Sequence, residues 1–258
     1  MSGAGLARDV LAASRGRSGS EQAAGSRHVG SRHTFESCVE RLATAIRLGV
    51  YPYGSTLPPE RELAGLLGVS RATVREAIGA LRAAGMVRTT RGRGGGSVVD
   101  REPPTPGSEP GTDPETSAAR RPELLDALVF RRVVEPGACF VAATVDRSAT
   151  DLDGLRTAHD RVRSAQTPAE HRQADARLHL ALAALTGSAY LVDAVTQVQA
   201  AVHEMLLAIP VLGVNIEHSN AQHATIVAAV EAREPDRARR AMEEHCDDTA
   251  ALLRGLLR

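Results

Sequence analysis

The segment that most constrains the fold is residues 57–79, LPPERELAGLLGVSRATVREAIG. Its pattern predicts two short helices joined by a tight turn. Gly68 follows the first helix, where a residue with positive φ turns the chain. Ser70 is placed to cap the second helix with its hydroxyl. The second helix has an apolar face at helical spacing, formed by Val74, Ala77, Ile78 and Leu81.

The opposite face of this second helix carries polar and cationic side chains. Arg71 and Arg75 are four positions apart and therefore share a face. In a helix-turn-helix the second helix enters the major groove of DNA, and its first residues contact base edges and phosphates. The candidate DNA-binding residues of this helix are Ser70, Arg71, Thr73 and Arg75. Solvated helix arginines without such a role are the alternative.

Two short strands are predicted after the second helix, at about 86–90 and 97–99. Between them lies a glycine-rich tip that carries Arg91 and Arg93. A β-hairpin at this place is typical of a wing. Glycine lets the backbone approach DNA closely, and arginine binds phosphates or enters the minor groove.

Composition favours helices over sheets. Hydrophobic residues make up 43% of the 258-residue chain, enough for a buried core, but aromatic residues only 2%, and strands prefer aromatic and β-branched residues. Charge is uneven, since residues 31–101 contain 11 Arg and 6 acidic residues, whereas residues 102–258 contain 16 Arg and 23 acidic residues. A basic first part and an acidic second part fit one DNA-binding domain and one domain with another role.

The three cysteines, Cys38, Cys139 and Cys246, are far apart and odd in number. Neither a disulfide framework nor a Cys-x-x-Cys metal pair is therefore expected. No stretch reaches the roughly 18 apolar residues of a membrane span, and we expect no secretory leader. These features predict a cytoplasmic protein without a membrane partner, associated with the nucleoid when bound to DNA.

Four regions are expected along the chain. Residues 1–30 lack periodicity and predict a disordered tail, and residues 31–100 a winged helix-turn-helix. Residues 101–120, rich in Pro, Gly and acid, predict a linker. Residues 121–258 predict six helices, near 121–145, 149–165, 168–186, 189–209, 216–233 and 235–257. The expected fold class is mainly α, a winged helix-turn-helix followed by an all-α antiparallel helical bundle.

A set of potential metal ligands lies in this second domain. Asp175 and His179 are one turn apart on one helical face. His223 and His245 lie near the middle of two later helices, among apolar residues. Three imidazoles and a carboxylate in a bundle core suit Zn²⁺ or another divalent first-row metal. By spacing alone, buried histidines held by hydrogen bonds are the alternative.

Several stretches between Tyr53 and Val99 form one pattern: GSTLPPERELA, GVSRATVREAI, GMV and the Gly-rich wing. This pattern resembles the N-terminal winged helix-turn-helix of GntR-family bacterial transcription regulators. The resemblance implies DNA contacts by Arg61, Arg71, Thr73, Arg75, Arg91 and Gly92. Pro59 departs from it, since the family usually has a small polar capping residue there. Because proline is tolerated in the first helical turn, we expect only a modest change in capping.

A second pattern covers roughly residues 121–257: RRVVEPGACFVAA, then D-x-x-x-H, H-x-x-I-x-x-A and M-x-x-H. It resembles the FCD effector-binding domain of the FadR-type subgroup of the same family. The resemblance implies a divalent metal ion, with Zn²⁺ preferred and Ni²⁺ or Mn²⁺ as alternatives, bound by Asp175, His179, His223 and His245. It also implies a carboxylate effector, which Arg131 would bind through its guanidinium. A pair of Arg131 with Glu135, four positions later, is the alternative.

The function expected from these features is that of a transcription regulator, more specifically a repressor, and not an enzyme. A homodimer would place two recognition helices on a palindromic double-stranded DNA operator. A small organic acid bound at the metal would then change operator affinity. Two alternatives stay open: the metal ion itself is the signal, or the chain is a metal-dependent hydrolase whose ion activates water.

Overall fold

The computed structural model describes residues 34–47, 49–90, 96–100 and 114–257. The predicted tail at 1–30 lies outside the described residues, as does most of the predicted linker at 101–120. The structure divides into two compact units. We call Met1–Gly111 together with Ala251–Leu257 the winged unit, and Thr112–Ala250 the helical unit.

The described part of the winged unit contains three helices and a two-stranded sheet before its C-terminal segment. In chain order these are α1 (Thr34–Arg47), α2 (Glu60–Leu67), α3 (Arg71–Ala83), β1 (Val87–Thr90) and β2 (Gly96–Val99). Helices α1 and α2 both pack against α3, and Leu42, Leu63 and Leu81 are fully buried. This is the predicted winged helix-turn-helix.

The turn between α2 and α3 has the predicted geometry. Gly68 is the C-cap residue of α2, with a φ of 71° and an N–H that donates to the carbonyl of Ala64 at 2.9 Å. Ser70 caps α3, because its Oγ accepts from the N–H of Thr73 at 3.1 Å. The predicted apolar face of α3 is buried, and it comprises Val74, Ala77, Ile78 and Leu81.

Pro59 is the N-cap residue of α2, with φ −54° and ψ 145°, and therefore lies just before the first turn and not within it. It makes no side-chain capping bond, but its carbonyl accepts from the N–H groups of Glu62 at 2.8 Å and Leu63 at 3.0 Å. Glu60 and Glu62 occupy the first turn, where the helix dipole favours carboxylates. Helix α2 thus begins with a favourable dipole interaction and without a side-chain cap.

The wing is an antiparallel hairpin in which Val87 lies opposite Val99 and Thr90 opposite Gly96. Val87 and Val99 are buried, so the hairpin packs one side into the core of the winged unit. The tip, residues 91–95, lies outside the described residues, and with it Arg91 and Gly92.

The described part of the helical unit is entirely α-helical. Its helices are α4 (Pro114–Thr144), α5 (Ala149–Ser164), α6 (Pro168–Ala184), α7 (Ala189–Leu207), α8 (Gly213–Glu231) and α9 (Pro235–Leu256). One apolar core joins five of them through side chains that include Cys139, Leu155, Leu178, Ile226 and Met242. The mainly α fold class with a C-terminal helical bundle is confirmed. Within the described ranges, none of the helices combines the length and the apolar character needed to span a bilayer.

Helix α4 begins earlier than predicted, at Pro114 and not near residue 121. The prediction used the composition of the preceding segment and placed Pro122 at the helix start. In the structure Pro122 lies inside the helix, and the residues before it are good helix formers, SAARR. Pro114 takes the first position, where a proline leaves no helical hydrogen bond unmade.

The end of α9 belongs to the winged unit, where α1 holds it. Arg47, the last residue of α1, donates to the carbonyl oxygens of Arg254 at 2.8 Å and Leu257 at 3.0 Å, and also to that of Gly255. The last carbonyls of a helix have no intrahelical donor, so Arg47 satisfies them. Arg254 pairs in turn with Glu40 of α1 at 2.7 Å.

Replacing Arg47 with Met should destabilise the winged unit, because the carbonyls at the end of α9 lose their charged donor. We expect a loss of about 1–3 kcal/mol in the free energy of unfolding, measured by chemical denaturation of the full chain. Arg82→Met, at an exposed position of α3, is the matched control. Equal denaturation midpoints for the two variants would show that this contact adds nothing to stability.

Candidate nucleic-acid interface and metal centre

The face of α3 predicted to meet DNA is exposed. Arg71 and Arg75 are exposed on α3, and Arg61 is exposed on α2. The hydroxyls of Ser70 and Thr73 lie 2.9 Å apart at the start of α3. The winged unit thus presents three guanidinium groups to solvent beside a capped helix start, which is the chemistry that phosphates and base edges require.

Arg75 is held by Glu60, the first residue of α2. Its Nε lies 3.2 Å from Oε1 and its Nη2 2.9 Å from Oε2 of that carboxylate. The hydrogen bond to Arg75 lowers the pKa of Glu60. Exposed ion pairs contribute little net free energy, so Arg75 can exchange Glu60 for a DNA group at small cost while the pair orients its guanidinium beforehand.

The four residues predicted to bind metal come together in the helical unit. Asp175 and His179 project from α6, His223 from α8 and His245 from α9. The ring centroid of His223 lies 4.6 Å from that of His245, and the ring of His179 is 5.4 Å and 5.2 Å from these two. The carboxylate of Asp175 lies 3.4 Å from Nε2 of His223 and 3.9 Å from Nε2 of His179.

Five ring nitrogens of these histidines have no hydrogen-bond partner among the described residues. They are Nδ1 and Nε2 of both His179 and His223, and Nε2 of His245, and all are buried. Nδ1 of His179 lies 2.9 Å from Oε2 of Glu135, but without hydrogen-bond geometry. Because buried polar atoms in proteins nearly always have partners, the donor set fits a cation bound between the rings.

The protonation of the cluster favours a cation as well. Burial lowers the pKa of His223 to about 3 and holds the pKa of His245 well below its ordinary value. The positive charge of Arg131 adds to both shifts. Neutral imidazole is the form that coordinates metal, so neither ring needs to release a proton near neutral pH.

Arg131 forms a buried ion pair with Glu135, its Nε lying 3.0 Å from Oε2, with exposed fractions of 1% and 2%. Oε1 of Glu135 accepts from the amide of Gln199. Burial alone would raise the pKa of Glu135, but the charge of Arg131 holds it well below its usual range. The pair that the sequence offered as an alternative is therefore present. Nη1 of Arg131 is buried and has no hydrogen-bond partner within the described ranges.

Two segments of the chain match known families. Residues 34–96 match the bacterial regulatory proteins of the gntR family, and residues 126–248 match the FCD domain. RmpR of Mycobacterium gastri, named as an HTH-type transcriptional regulator, is 33% identical over 218 residues, which cover 81% of this chain and 76% of that protein. The chain belongs to the GntR family.

This GntR-family protein is a DNA-binding transcription regulator with an FCD domain. It is also similar to the Uxu operon transcriptional regulator of Escherichia coli K12, with 31% identity over 146 residues, covering 55% of this chain and 54% of that protein. Among solved structures, Streptococcus agalactiae GntR aligns with a TM-score of 0.45 and 22% identity, covering 84% of this chain and 98% of that one. The resemblance read from both sequence patterns is confirmed.

Sequence reasoning missed three contacts of these two sites. It did not relate Glu60 to Arg75, and it considered Glu135 only as a partner of Arg131. It did not single out Gln222, whose Oε1 lies 3.0 Å from Nδ1 of His245. Each of these contacts joins two different helices, so no spacing within one helix reveals it.

The metal-free GntR-family protein should lose stability as pH falls from about 6.5 towards 3. Above about 6.5, the ordinary pKa of histidine, His223 is neutral in both folded and unfolded states. Below it the unfolded chain binds a proton that folded His223 resists until about pH 3, which costs up to about 1.4 kcal/mol per pH unit. Urea unfolding with chelator, compared with His223→Gln, isolates this contribution. Parallel pH profiles for the two proteins would contradict it.

Proposed function

We propose that this GntR-family regulator is a repressor whose operator affinity is controlled by a small organic acid bound at a divalent metal ion in the helical unit. One observation carries the proposal: three buried histidines, from three helices, whose ligand atoms lie within 4.8 Å of one another. Leaving so many buried nitrogens unpaired costs free energy. A bound cation removes that cost.

Four residues would hold the ion: Asp175, His179, His223 and His245. Three nitrogen ligands and one oxygen ligand favour Zn²⁺, with Ni²⁺ or Mn²⁺ as alternatives. When bound, the ion would supply a Lewis acid that attracts a carboxylate. Asp175 adds negative charge beside the rings, which offsets part of the charge of a divalent cation.

Arg131 supports an acid as the effector. Its Nε is committed to Glu135, whereas its Nη1 is buried and has no acceptor among the described residues. A carboxylate oxygen would complete that nitrogen with a charge-assisted hydrogen bond. Arg131 also acts electrostatically on His223 and His245, which places its charge near the proposed ion. An anion reaching both would therefore be favoured over a neutral molecule.

The proposed DNA-binding form is a homodimer on a palindromic double-stranded operator. Each protomer would contact DNA through residues of α2, α3 and the wing: Arg61, Ser70, Arg71, Thr73, Arg75, Arg91 and Gly92. A homodimer of this kind needs an interface between its two protomers. Helix α4 offers apolar side chains for one, since Val129, Phe130 and Val133 are 66%, 45% and 70% exposed, and exposed apolar groups of this kind mark interaction surfaces.

Control of operator affinity by an acid requires that acid binding and DNA binding be thermodynamically linked. The acid changes operator affinity only if it binds one arrangement of the protein better than the other, by a free energy equal to the change in DNA binding. The proposed site draws its residues from α4, α6, α8 and α9. A ligand there therefore acts on the positions of four helices at once.

Replacing Arg71 or Arg75 with Ala should weaken binding to a DNA fragment from upstream of the protein's own gene. Each guanidinium that reads a base contributes about 1–3 kcal/mol, so affinity should fall by roughly 5- to 150-fold in fluorescence anisotropy at fixed salt. Arg82→Ala, exposed at the far end of α3, should change affinity far less. Wild-type affinity in both variants would remove the recognition-helix assignment.

Replacing His223 with Ala should abolish stoichiometric metal binding, because the ion loses one of its central ligands while the winged unit still folds. Elemental analysis after Zn²⁺ loading and desalting measures the content. His203→Ala, at a half-buried histidine of α7 outside the cluster, should keep a full complement. Full metal content in His223→Ala would refute the ligand set.

Operator affinity of the metal-loaded wild type then separates two kinds of control. We expect Zn²⁺ alone to leave the affinity nearly unchanged, and a panel of small carboxylic acids added to it to contain one that lowers it. A full change with the ion alone, and no further change with any acid, would make the ion itself the signal and contradict the proposed effector.

A further inference from the structure

His245 is linked to a carboxylate through the side chain of Gln222. Nδ1 of His245 lies 3.0 Å from Oε1 of Gln222, and Nε2 of Gln222 donates to Oδ2 of Asp248 at 2.7 Å. Gln222 lies on α8, next to His223, and the other two residues lie on α9. His245 is 2% exposed and Asp248 4% exposed, so water competes little for these groups.

The chemistry of this chain of contacts determines which atom of His245 carries the proton. A carboxylate only accepts hydrogen bonds, so Asp248 must face the amide NH₂ of Gln222. The amide oxygen of Gln222 then faces His245, and this oxygen also only accepts. Nδ1 of His245 is therefore the protonated nitrogen, and its Nε2 carries a lone pair.

That lone pair belongs to a buried atom without a hydrogen-bond partner in the described chain. The ring of His245 lies 4.6 Å from that of His223 and 5.2 Å from that of His179, centroid to centroid. The contacts from Asp248 to Gln222 and from Gln222 to His245 thus allow one state of His245. In that state the imidazole is neutral, and its basic nitrogen, Nε2, is the ring nitrogen without a hydrogen-bond partner among the described residues.

We propose that Gln222 is a positioning residue, which Asp248 orients, and that it holds His245 as the Nδ1–H tautomer so that Nε2 is available to a divalent cation. The inference rests on the metal centre proposed above, although the tautomer itself exists without metal. A hydrogen bond at the far nitrogen both orients a histidine ligand and increases the basicity of the coordinating nitrogen. Its loss typically weakens metal affinity by about 10- to 100-fold.

The first measurement tests the tautomer in metal-free protein, by ¹⁵N NMR of histidine-labelled chain, with His245→Gln used to assign the signal. In the wild type, Nδ1 should show a protonated, pyrrole-like shift and Nε2 an unprotonated, pyridine-like shift. Gln222→Met removes the acceptor and should produce a mixture of tautomers. Asp248→Asn should do so as well. Unlike a carboxylate, an asparagine amide can either accept from the NH₂ group of Gln222 or donate to its Oε1, so the Gln222 amide is no longer held in one orientation.

The second measurement is the Zn²⁺ dissociation constant, determined by competition with a chromophoric chelator. Gln222→Met should bind Zn²⁺ about 10- to 100-fold more weakly than the wild type, while Gln197→Met, the same replacement at an exposed position of α7, should not. If Gln222→Met does not fold, Asp248→Asn carries the same two readouts.

The outcomes separate the two claims. A wild-type tautomer together with wild-type Zn²⁺ affinity in Gln222→Met and Asp248→Asn overturns the role of Gln222 and leaves the metal centre intact. A variant that is merely less stable, with both readouts unchanged, overturns it too. A wild type that binds no Zn²⁺, Ni²⁺ or Mn²⁺, but whose tautomer depends on Gln222, refutes the metal centre and supports the positioning of His245.

Discussion

The need to pair buried polar atoms governs the helical unit. The imidazoles of His179, His223 and His245 are buried next to the apolar core, where an unpaired nitrogen is costly. The surrounding polar groups satisfy only part of this need. Glu135 accepts hydrogen bonds from Arg131 and Gln199, and Gln222 forms one with a single nitrogen of His245. The nitrogens left over are the ones that our proposal assigns to a divalent cation.

In the winged unit, helix α3 has one face in the core and the other exposed, and we propose that the exposed face contacts DNA. Burial of the apolar face of α3 and the cap at Ser70 hold the helix in place. The exposed face then needs no contacts of its own for stability, so Arg71 is available for the DNA contact that we propose. Arg75 is the exception, since Glu60 orients it through an exposed and easily exchanged pair. Membership in the GntR family agrees with a helix α3 that has a buried structural face and an exposed face proposed to contact DNA.

Local features of the sequence were reliable guides. The helical period predicted α2, α3 and α5 to α9 to within a few residues, and the cap at Ser70 and the turn at Gly68 follow from the residue types at these two positions. Asp175 and His179 share a face because of the helical repeat alone. The predicted start of α4 was wrong because the composition near Pro114 resembles that of a linker. A proline is nevertheless acceptable at the first position of a helix.

Residue types and their periodicity were enough to predict most of the helices, their caps and their apolar faces, and the resemblance supplied the family and the candidate ligands. Which side chains of different helices meet could be seen only once the helices were packed together. The tertiary structure pairs Glu135 with Gln199, Arg75 with Glu60 and His245 with Gln222, and it groups the end of α9 with the winged unit. This difference arises from the distance along the chain over which each interaction acts. Hydrogen bonds and side-chain period act within one turn of a helix, whereas contacts between helices depend on how whole apolar faces pack.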